Sequence, residues 1–166
     1  MPVAMKKVPQ PEHQYDGGTR ERCVTVLAVG EHEDDHAALR NIVSHSNWRL
    51  RSARTWSEAR ASLIENPASV IVCDHRLPDA TWRDVLNYVA DLPEKPVLIV
   101  SSRTADDQLW GEVLNLGAYD LLLKPFDQQE VVRVVSLAWL NWKNACEQAR
   151  KAAMAGAAPR LMVAGA

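Results

Sequence analysis

Three short runs of consecutive apolar residues constrain the fold of this chain more than any other feature of its sequence. They read VLAV at 26–29, VIVC at 70–73 and VLIV at 97–100. A strand that is apolar at every position must be covered on both faces, which is typical of parallel sheets with helices on either side. With two less apolar segments added, the predicted strands span 24–29, 48–53, 70–73, 97–101 and 119–123.

Segments with helical spacing alternate with these strands, at 35–45, 56–66, 81–91, 106–116 and 128–143. Thr55 with Glu58, and Asp127 with Glu130, have the spacing of an N-cap and its reciprocal acid, and Gly117 stands where a C-cap is expected. Right-handed strand–helix crossovers then predict an α/β fold, a five-stranded parallel doubly wound sheet with helices on both faces, of the flavodoxin-like kind.

The length of 166 residues suits one folded domain with tails. Residues 1–22 mix prolines, glycines and charges without an apolar period, and we interpret them as a flexible N-terminal leader. The domain is expected to span 23–143. The segment 144–166 is Ala-rich, and we expect this C-terminal tail to extend the last helix before Gly156 and Pro159 end it.

Charge and cysteine content exclude several classes of function. The formal net charge is −2, and lysine and arginine form no stripe, so direct nucleic-acid binding is not expected. The three cysteines lack metal-type spacing, which favours a reducing compartment. With no signal-type apolar region and no run long enough to span a bilayer, we expect a cytoplasmic protein without membrane insertion.

The C-terminal ends of parallel strands meet at one edge of a doubly wound sheet, where ligands bind. This sequence places Gly30 and Glu31 after the first strand, Asp74 after the third, Ser101 at the end of the fourth and Lys124 after the fifth. We therefore expect these residues to line one crevice.

Three motifs at these positions resemble the response-regulator receiver domain of two-component signalling, of the chemotaxis type. VIVCDHRLPDATW resembles its strand that ends in Asp and is followed by Leu-Pro, VLIVSSR its hydroxyl-bearing fourth strand, and GAYDLLLKPF the Lys-Pro end of its fifth strand. They occur in the family's order and together cover residues 23–143.

The resemblance implies a role for each residue. Asp74 would accept a phosphoryl group, Lys124 would neutralise its oxygens and Ser101 would hydrogen-bond one of them. A Mg²⁺ ion would be held by Glu31, Asp74 and the backbone carbonyl of Arg76. The chain would act as a signalling protein and not as an enzyme.

The sequence departs from the family at the metal site. Receivers usually end the first strand with two adjacent acids, whereas this chain has Gly30 and Glu31. Asp34 or Asp35 could approach from the start of the following helix. Because Mg²⁺ demands near-octahedral geometry, we expect an atypical member with weakened Mg²⁺ binding.

A second departure concerns the fifth strand. The aromatic residue that usually couples to the hydroxyl of the fourth strand is replaced by Leu121. Tyr119, two residues earlier, is expected to face the same side of the strand. The resemblance also implies a cis Lys124–Pro125 peptide bond.

Two enzymatic alternatives fit the sequence less well. Residues 32–36 match the zinc-protease pattern H-E-x-x-H, but the pattern straddles a strand–helix turn and lacks a clear third ligand. A phosphatase of the haloacid-dehalogenase type needs a second acid two residues after Asp74, where this chain has Arg76. Neither activity is expected of this chain.

Two functional hypotheses remain open. In the first, the chain is a stand-alone response regulator that takes phosphate from a histidine kinase or phosphotransfer protein and changes its affinity for a downstream partner. In the second, it is a pseudo-receiver that binds proteins without phosphorylation.

The apolar residues of the last two helices extend beyond the faces expected to pack on the core. On the fourth helix we expect Leu109, Val113 and Leu116 on the inner face. Trp110 and Leu114, with Leu137 and Leu140, lie outside the core stripes of the two helices, which suggests a homodimer through the fourth and fifth helices.

Overall fold

Five strands alternate with five helices along the chain. The structure is a computed structural model that describes residues 23–156. Its elements are β1 (Thr25–Val29), α1 (Glu33–Val43), β2 (Arg49–Ala53), α2 (Trp56–Glu65), β3 (Val70–Asp74), α3 (Trp82–Ala90), β4 (Val97–Ser102), α4 (Asp107–Asn115), β5 (Asp120–Leu123) and α5 (Gln128–Gly156). The strands form one parallel sheet in the order β2-β1-β3-β4-β5. The predicted doubly wound α/β fold is confirmed.

Each face of the sheet packs against its own set of helices. Helices α2, α3 and α4 cover one face, and α1 and α5 cover the other. The strand residues alternate between the two cores, so that Leu98 and Val100 lie in one and Ile99 in the other. This two-sided burial is the physical reason for the continuous apolar runs in the sequence.

The strand order places the functional edge of the sheet. β1 lies between β2 and β3, so the chain turns back across the sheet between β1 and β3. At such a switch point the helices leave on opposite faces, and a crevice opens at the C-terminal ends of the two strands. Asp74 is the last residue of β3 and borders this crevice.

Several boundaries differ from the sequence-based prediction. Helix α1 begins at Glu33, so Asp35 lies in its first turn. Helix α5, by contrast, runs to Gly156, through the Ala-rich segment where the sequence analysis expected an extension. No helix within residues 23–156 is long and apolar enough to cross a membrane. The leader at 1–22 and the last part of the tail, 157–166, lie outside the described residues, and the domain boundaries stay a prediction.

Two residues pack differently from the prediction. Tyr119 was expected to share a face with Leu121, but it precedes β5 and packs against the opposite core. Leu116, expected on the inner face of α4, is the C-cap of that helix and is 53% exposed. Both errors arise where a regular element ends, because its periodicity no longer sets the side-chain direction.

The loop after β3 is tied to α2 through Asp79. One carboxylate oxygen of Asp79 accepts from the backbone N–H of Trp56 at 2.8 Å, and the other accepts from the N–H of Ser57 at 2.9 Å. These N–H groups at the start of α2 would otherwise lack partners within the helix. The N–H of Trp56, followed by the donors of Ser57, holds the pKa of Asp79 below its usual range.

We predict that Asp79→Ala lowers the free energy of unfolding by about 1–2 kcal/mol at neutral pH, the usual contribution of a helix cap. Because the pKa of Asp79 is lowered by folding, its stabilisation is present above the unfolded-state pKa. It is lost as the pH falls through the folded-state pKa. Urea unfolding across the acid range measures the difference between the two proteins, which should shrink at low pH.

Asp79→Asn is the matched control, since it keeps one acceptor oxygen and removes the charge. It should lose less stability than Asp79→Ala at neutral pH. A difference between Asp79→Ala and the wild type that stays constant down to the lowest pH would contradict this account.

Candidate functional site

The predicted acceptor, hydroxyl and ammonium groups meet at the C-terminal edge of the sheet. Asp74 pairs in register with Ser101 on the neighbouring strand, and Ser101 Oγ donates a hydrogen bond to Asp74 Oδ1 at 2.8 Å. Lys124 follows β5, and its Nζ forms an ion pair with the same oxygen. The structure therefore brings Asp74, Ser101 and Lys124 into direct contact.

The ammonium group of Lys124 is almost completely removed from water. Its side chain is 3% exposed, and Asp74 is a partner. A second carboxylate reaches it, because Lys124 Nζ lies 2.7 Å from Asp35 Oδ2. A buried charge is strongly unfavourable unless it is paired and hydrogen-bonded, so the two carboxylates explain how this lysine can lie here.

Asp35 connects the buried lysine to a second cation. Its other oxygen, Oδ1, accepts from Arg103 Nη2 at 2.7 Å. Arg103 follows β4, and its side chain is 52% exposed. We call Asp35, Asp74, Arg103 and Lys124 the charge cluster. Sequence reasoning named Asp35 only as one of two acids that could approach, and it missed Arg103, although the residue lies just two positions beyond Ser101.

Gly30 makes room for the carboxylate of Asp74. A Cβ atom at this position would lie 2.6 Å from Asp74 Oδ2 and 2.9 Å from its Cγ, which is closer than real Cβ atoms come. Asp74 cannot simply rotate away, because Ser101 and Lys124 hold its other oxygen. The glycine that replaces the usual acid at position 30 therefore leaves the space that the Asp74 carboxylate occupies.

The residues present fit a Mg²⁺ ion poorly. No group of three or more His, Cys, Asp or Glu side chains that could hold a metal forms within residues 23–156. Glu31 is exposed, and both oxygens of Asp35 and one oxygen of Asp74 already bind protein cations. Mg²⁺ requires a nearly octahedral oxygen shell. Glu31 and the Arg76 carbonyl as metal ligands stay predictions.

The two histidines of the H-E-x-x-H pattern lie in different environments. His32 is the exposed N-cap of α1. His36 is buried, and its Nε2 lies 2.7 Å from the carbonyl oxygen of Gly30, which can only accept. His36 therefore stabilises the turn after β1 from its buried side. His32 and His36 do not form a metal site together.

Two further features of the site can be compared with the expectations from the receiver-domain motifs. The Lys124–Pro125 peptide bond is cis, as predicted. Leu121 is fully buried in the core between the sheet and helices α2 to α4. A buried aliphatic side chain offers no polar group to Ser101, so a hydroxyl–ring coupling has no counterpart at this position.

The family of the chain follows from comparison with known proteins. The family model of the response regulator receiver domain matches residues 26–136. The two-component response regulator ORR5 of Oryza sativa is 32% identical over 115 residues, which are 67% of this chain and 85% of that protein. This chain belongs to the response regulator receiver domain family.

Two further proteins show the range of relatives. The hydrogenase transcriptional regulatory protein HoxA of Cupriavidus necator is 30% identical over 119 residues, 71% of this chain, and the chain spans only 24% of its length. The solution structure of the beryllofluoride-activated NtrC4 receiver domain dimer has a TM-score of 0.66 at 24% identity. It covers 71% of this chain and 98% of that one, and it supports the fold.

The family defines the class of function. Receiver domains are signalling modules of two-component systems that interact with histidine kinases or phosphotransfer proteins and with downstream partners. They typically bind Mg²⁺ at their acidic site. The charge cluster of this chain is the corresponding site, with a different set of charges.

We predict that Gly30→Ala destabilises the protein by about 1–3 kcal/mol, the usual effect of overpacking, because the new Cβ displaces the Asp74 carboxylate. Gly111→Ala is the matched control: this glycine lies inside α4, and a Cβ added to it would meet no neighbouring atom within 4 Å. There the same change should stabilise the helix by about 1 kcal/mol. Urea unfolding measures both, and equal effects of the two substitutions would contradict the packing argument.

Proposed function

We propose that this receiver domain accepts a phosphoryl group on Asp74 from a histidine kinase or phosphotransfer protein, and that the modification changes its affinity for a downstream protein partner. The observation that carries the proposal is the contact of Asp74 with both Ser101 and Lys124 at the switch point of the sheet. If Asp74 were only a solvated residue at the end of a strand, its oxygen Oδ1 would not need to contact both a buried lysine and a serine hydroxyl.

The contacts suggest how the groups share the chemistry. Ser101 and Lys124 both bind Oδ1 of Asp74, so Oδ2, on the Gly30 side, is the oxygen available for attack on phosphorus. Lys124 neutralises charge on the phosphoryl oxygens, and the Ser101 hydroxyl can donate to one of them after transfer. In this function the protein is a stoichiometric acceptor and not an enzyme that turns over a substrate.

The proposal includes weakened Mg²⁺ binding. Gly30 supplies no carboxylate, and Asp35 is engaged by Lys124 and Arg103. The proposed site of action is the cytoplasm, supported by Cys23, Cys73 and Cys146, which are free thiols suited to a reducing compartment.

A pseudo-receiver that binds partners without phosphorylation is the second candidate. It is favoured by one observation: Lys124 is already shared by two carboxylates, so the cluster is satisfied without an added group. In that case the site would serve only to hold the crevice together.

Phosphodonor labelling decides between the two candidates. We predict that phosphoramidate at millimolar concentration adds one phosphoryl group to the wild-type chain and none to Asp74→Asn, as measured by intact mass. Asp107→Asn, at the exposed start of α4, is the control and should label like the wild type. Equal labelling of wild type and Asp74→Asn, or none in either, would leave the pseudo-receiver as the function.

We also propose that the chain forms a homodimer through α4 and α5. Three leucines on these helices are exposed although large and apolar: Leu114 at 50%, and Leu137 and Leu140 at 45% each. Such residues are disfavoured on a monomer surface when they cluster and are common at the centre of interfaces. The beryllofluoride-activated NtrC4 receiver domain, which shares this fold, is a dimer.

Sedimentation velocity tests this interface. Leu137→Ser should weaken self-association by roughly tenfold or more, because it removes an apolar anchor. Ile64→Ser is the control, since Ile64 is 74% exposed on α2, which packs on β2 and β1 at the end of the sheet away from β5. A wild type that stays monomeric at high concentration would refute the proposal, and so would a loss of association in Ile64→Ser alone.

A further inference from the structure

We propose that Arg103 is a built-in second cation of the phosphoacceptor site, held there by Asp35, and that it takes the place of a divalent metal ion in phosphoryl transfer to Asp74. The inference rests on the proposed function of Asp74. It follows from the charge balance of the cluster, the geometry of Asp35 and the chemistry of the guanidinium group.

The charge balance of this site differs from that of a receiver site with the usual two adjacent acids. A receiver site with two adjacent acids, an acceptor aspartate and a lysine carries a charge of about −2, which a divalent ion neutralises. In this chain two carboxylates, Asp35 and Asp74, face two protein cations, Lys124 and Arg103. The cluster is neutral without a metal, so it does not attract a divalent ion as a site with excess acid does.

After phosphoryl transfer, the charge cluster has the same net charge as a three-acid receiver site that holds a divalent ion. Phosphoryl transfer replaces the single negative charge of Asp74 by the two charges of an aspartyl phosphate. The charge cluster would then carry about −1, as would the three-acid site with its divalent ion and lysine. Gly30 carries no carboxylate and the exposed Glu31 lies outside the charge cluster, so the cluster has one acid fewer than the three-acid site. That difference and the positive charge of Arg103 together compensate for the charge that a metal would bring.

Asp35 links the second cation to the lysine that contacts the acceptor. Its Oδ2 lies 2.7 Å from Lys124 Nζ, and its Oδ1 lies 2.7 Å from Arg103 Nη2. Asp35 stands in the first turn of α1, where the helix dipole favours an anion, and its side chain is only 13% exposed. Arg103 is thereby held one carboxylate away from Lys124, which itself forms an ion pair with Asp74.

Arg103 has the chemistry to bind a phosphoryl group. Its side chain is 52% exposed, whereas that of Lys124 is 3% exposed, so Arg103 is the more accessible of the two cations to a group that arrives from solvent. Guanidinium groups bind phosphoryl oxygens through two parallel N–H donors and stay charged at every physiological pH. An exposed ion pair that served only stability would contribute little and would not affect the rate of phosphoryl transfer.

The transfer step balances without a further reactant. With phosphoramidate as donor, a carboxylate oxygen of Asp74 attacks phosphorus, the O–P bond forms and the P–N bond breaks. The nitrogen of phosphoramidate is already protonated in the donor, so it leaves as ammonia and takes no proton from the protein. Arg103 and Lys124 hold the phosphoryl oxygens during this exchange, and neither loses a proton.

The test measures the rate of phosphoramidate labelling of Asp74 in EDTA and in millimolar Mg²⁺, with thermal unfolding as a check on folding. We expect the wild type to be labelled in EDTA at a rate similar to that in Mg²⁺. Arg103→Met should slow labelling in EDTA by roughly tenfold or more, the scale of removing one donor to a developing anion. Arg103→Lys, which keeps the charge, should recover part of the rate.

Two further variants separate the role of Arg103 from a structural one. Asp35→Asn, which releases both cations from their carboxylate, should slow labelling in EDTA without making it depend on Mg²⁺. Arg83→Met is the matched control: Arg83 on α3 pairs with Glu112 on α4, neither of which belongs to the charge cluster, and its side chain is 53% exposed, like that of Arg103. It should label like the wild type.

The outcomes are distinguishable. Labelling of the wild type that requires Mg²⁺, or an Arg103→Met rate in EDTA equal to that of the wild type, would refute the inference and leave Asp74 as acceptor. A strict Mg²⁺ requirement that disappears in Asp35→Asn would instead assign Asp35 as a metal ligand and also refute it. No Asp74-dependent labelling of any variant in either buffer would overturn both the inference and the proposed function.

Discussion

A lysine ammonium group with 3% of its side chain exposed sits between two carboxylates, and the functional edge of this domain is organised around it. Removing such a charge from water is very unfavourable, so the elements that carry its partners must stay in place. Asp74 comes from β3, Asp35 from α1 and Lys124 from the end of β5. One buried ion pair network thereby links three elements that are far apart in the chain.

The absence of a side chain at Gly30 belongs to the same arrangement. The carboxylate of Asp74 is drawn toward Ser101 and Lys124 through one oxygen, and its other oxygen occupies space that any Cβ at position 30 would enter. A carboxylate at this position would add a charge as well as volume. The glycine, the acid in the first turn of α1 and the arginine after β4 are therefore best understood as a set, which together keeps the cluster neutral.

The prediction of the fold and that of the site succeeded to different degrees, for physical reasons. Burial of a sheet on both faces imposes apolar runs that can be read directly, and the strand-end motifs pointed to Asp74, Ser101 and Lys124, which the structure brings into contact. Asp35 and Arg103 carry no comparable signal, since a charged residue near a helix start or in a loop is usually solvated. The packing of Tyr119 and Leu116 was wrong because both lie where an element ends.

The sequence by itself determined the order of strands and helices, the doubly wound sheet, the receiver family and the position of Asp74 at the end of the third strand, because periodicity, caps and strand-end motifs are local. Only the tertiary structure decided which charges meet. The contact of Asp35 with Lys124 joins residues 89 positions apart, and that of Arg103 with Asp35 joins residues 68 positions apart. These contacts form because the strand ends converge at one edge of the sheet and because a buried charge needs partners. The spacing of residues along the chain indicates neither of these two causes.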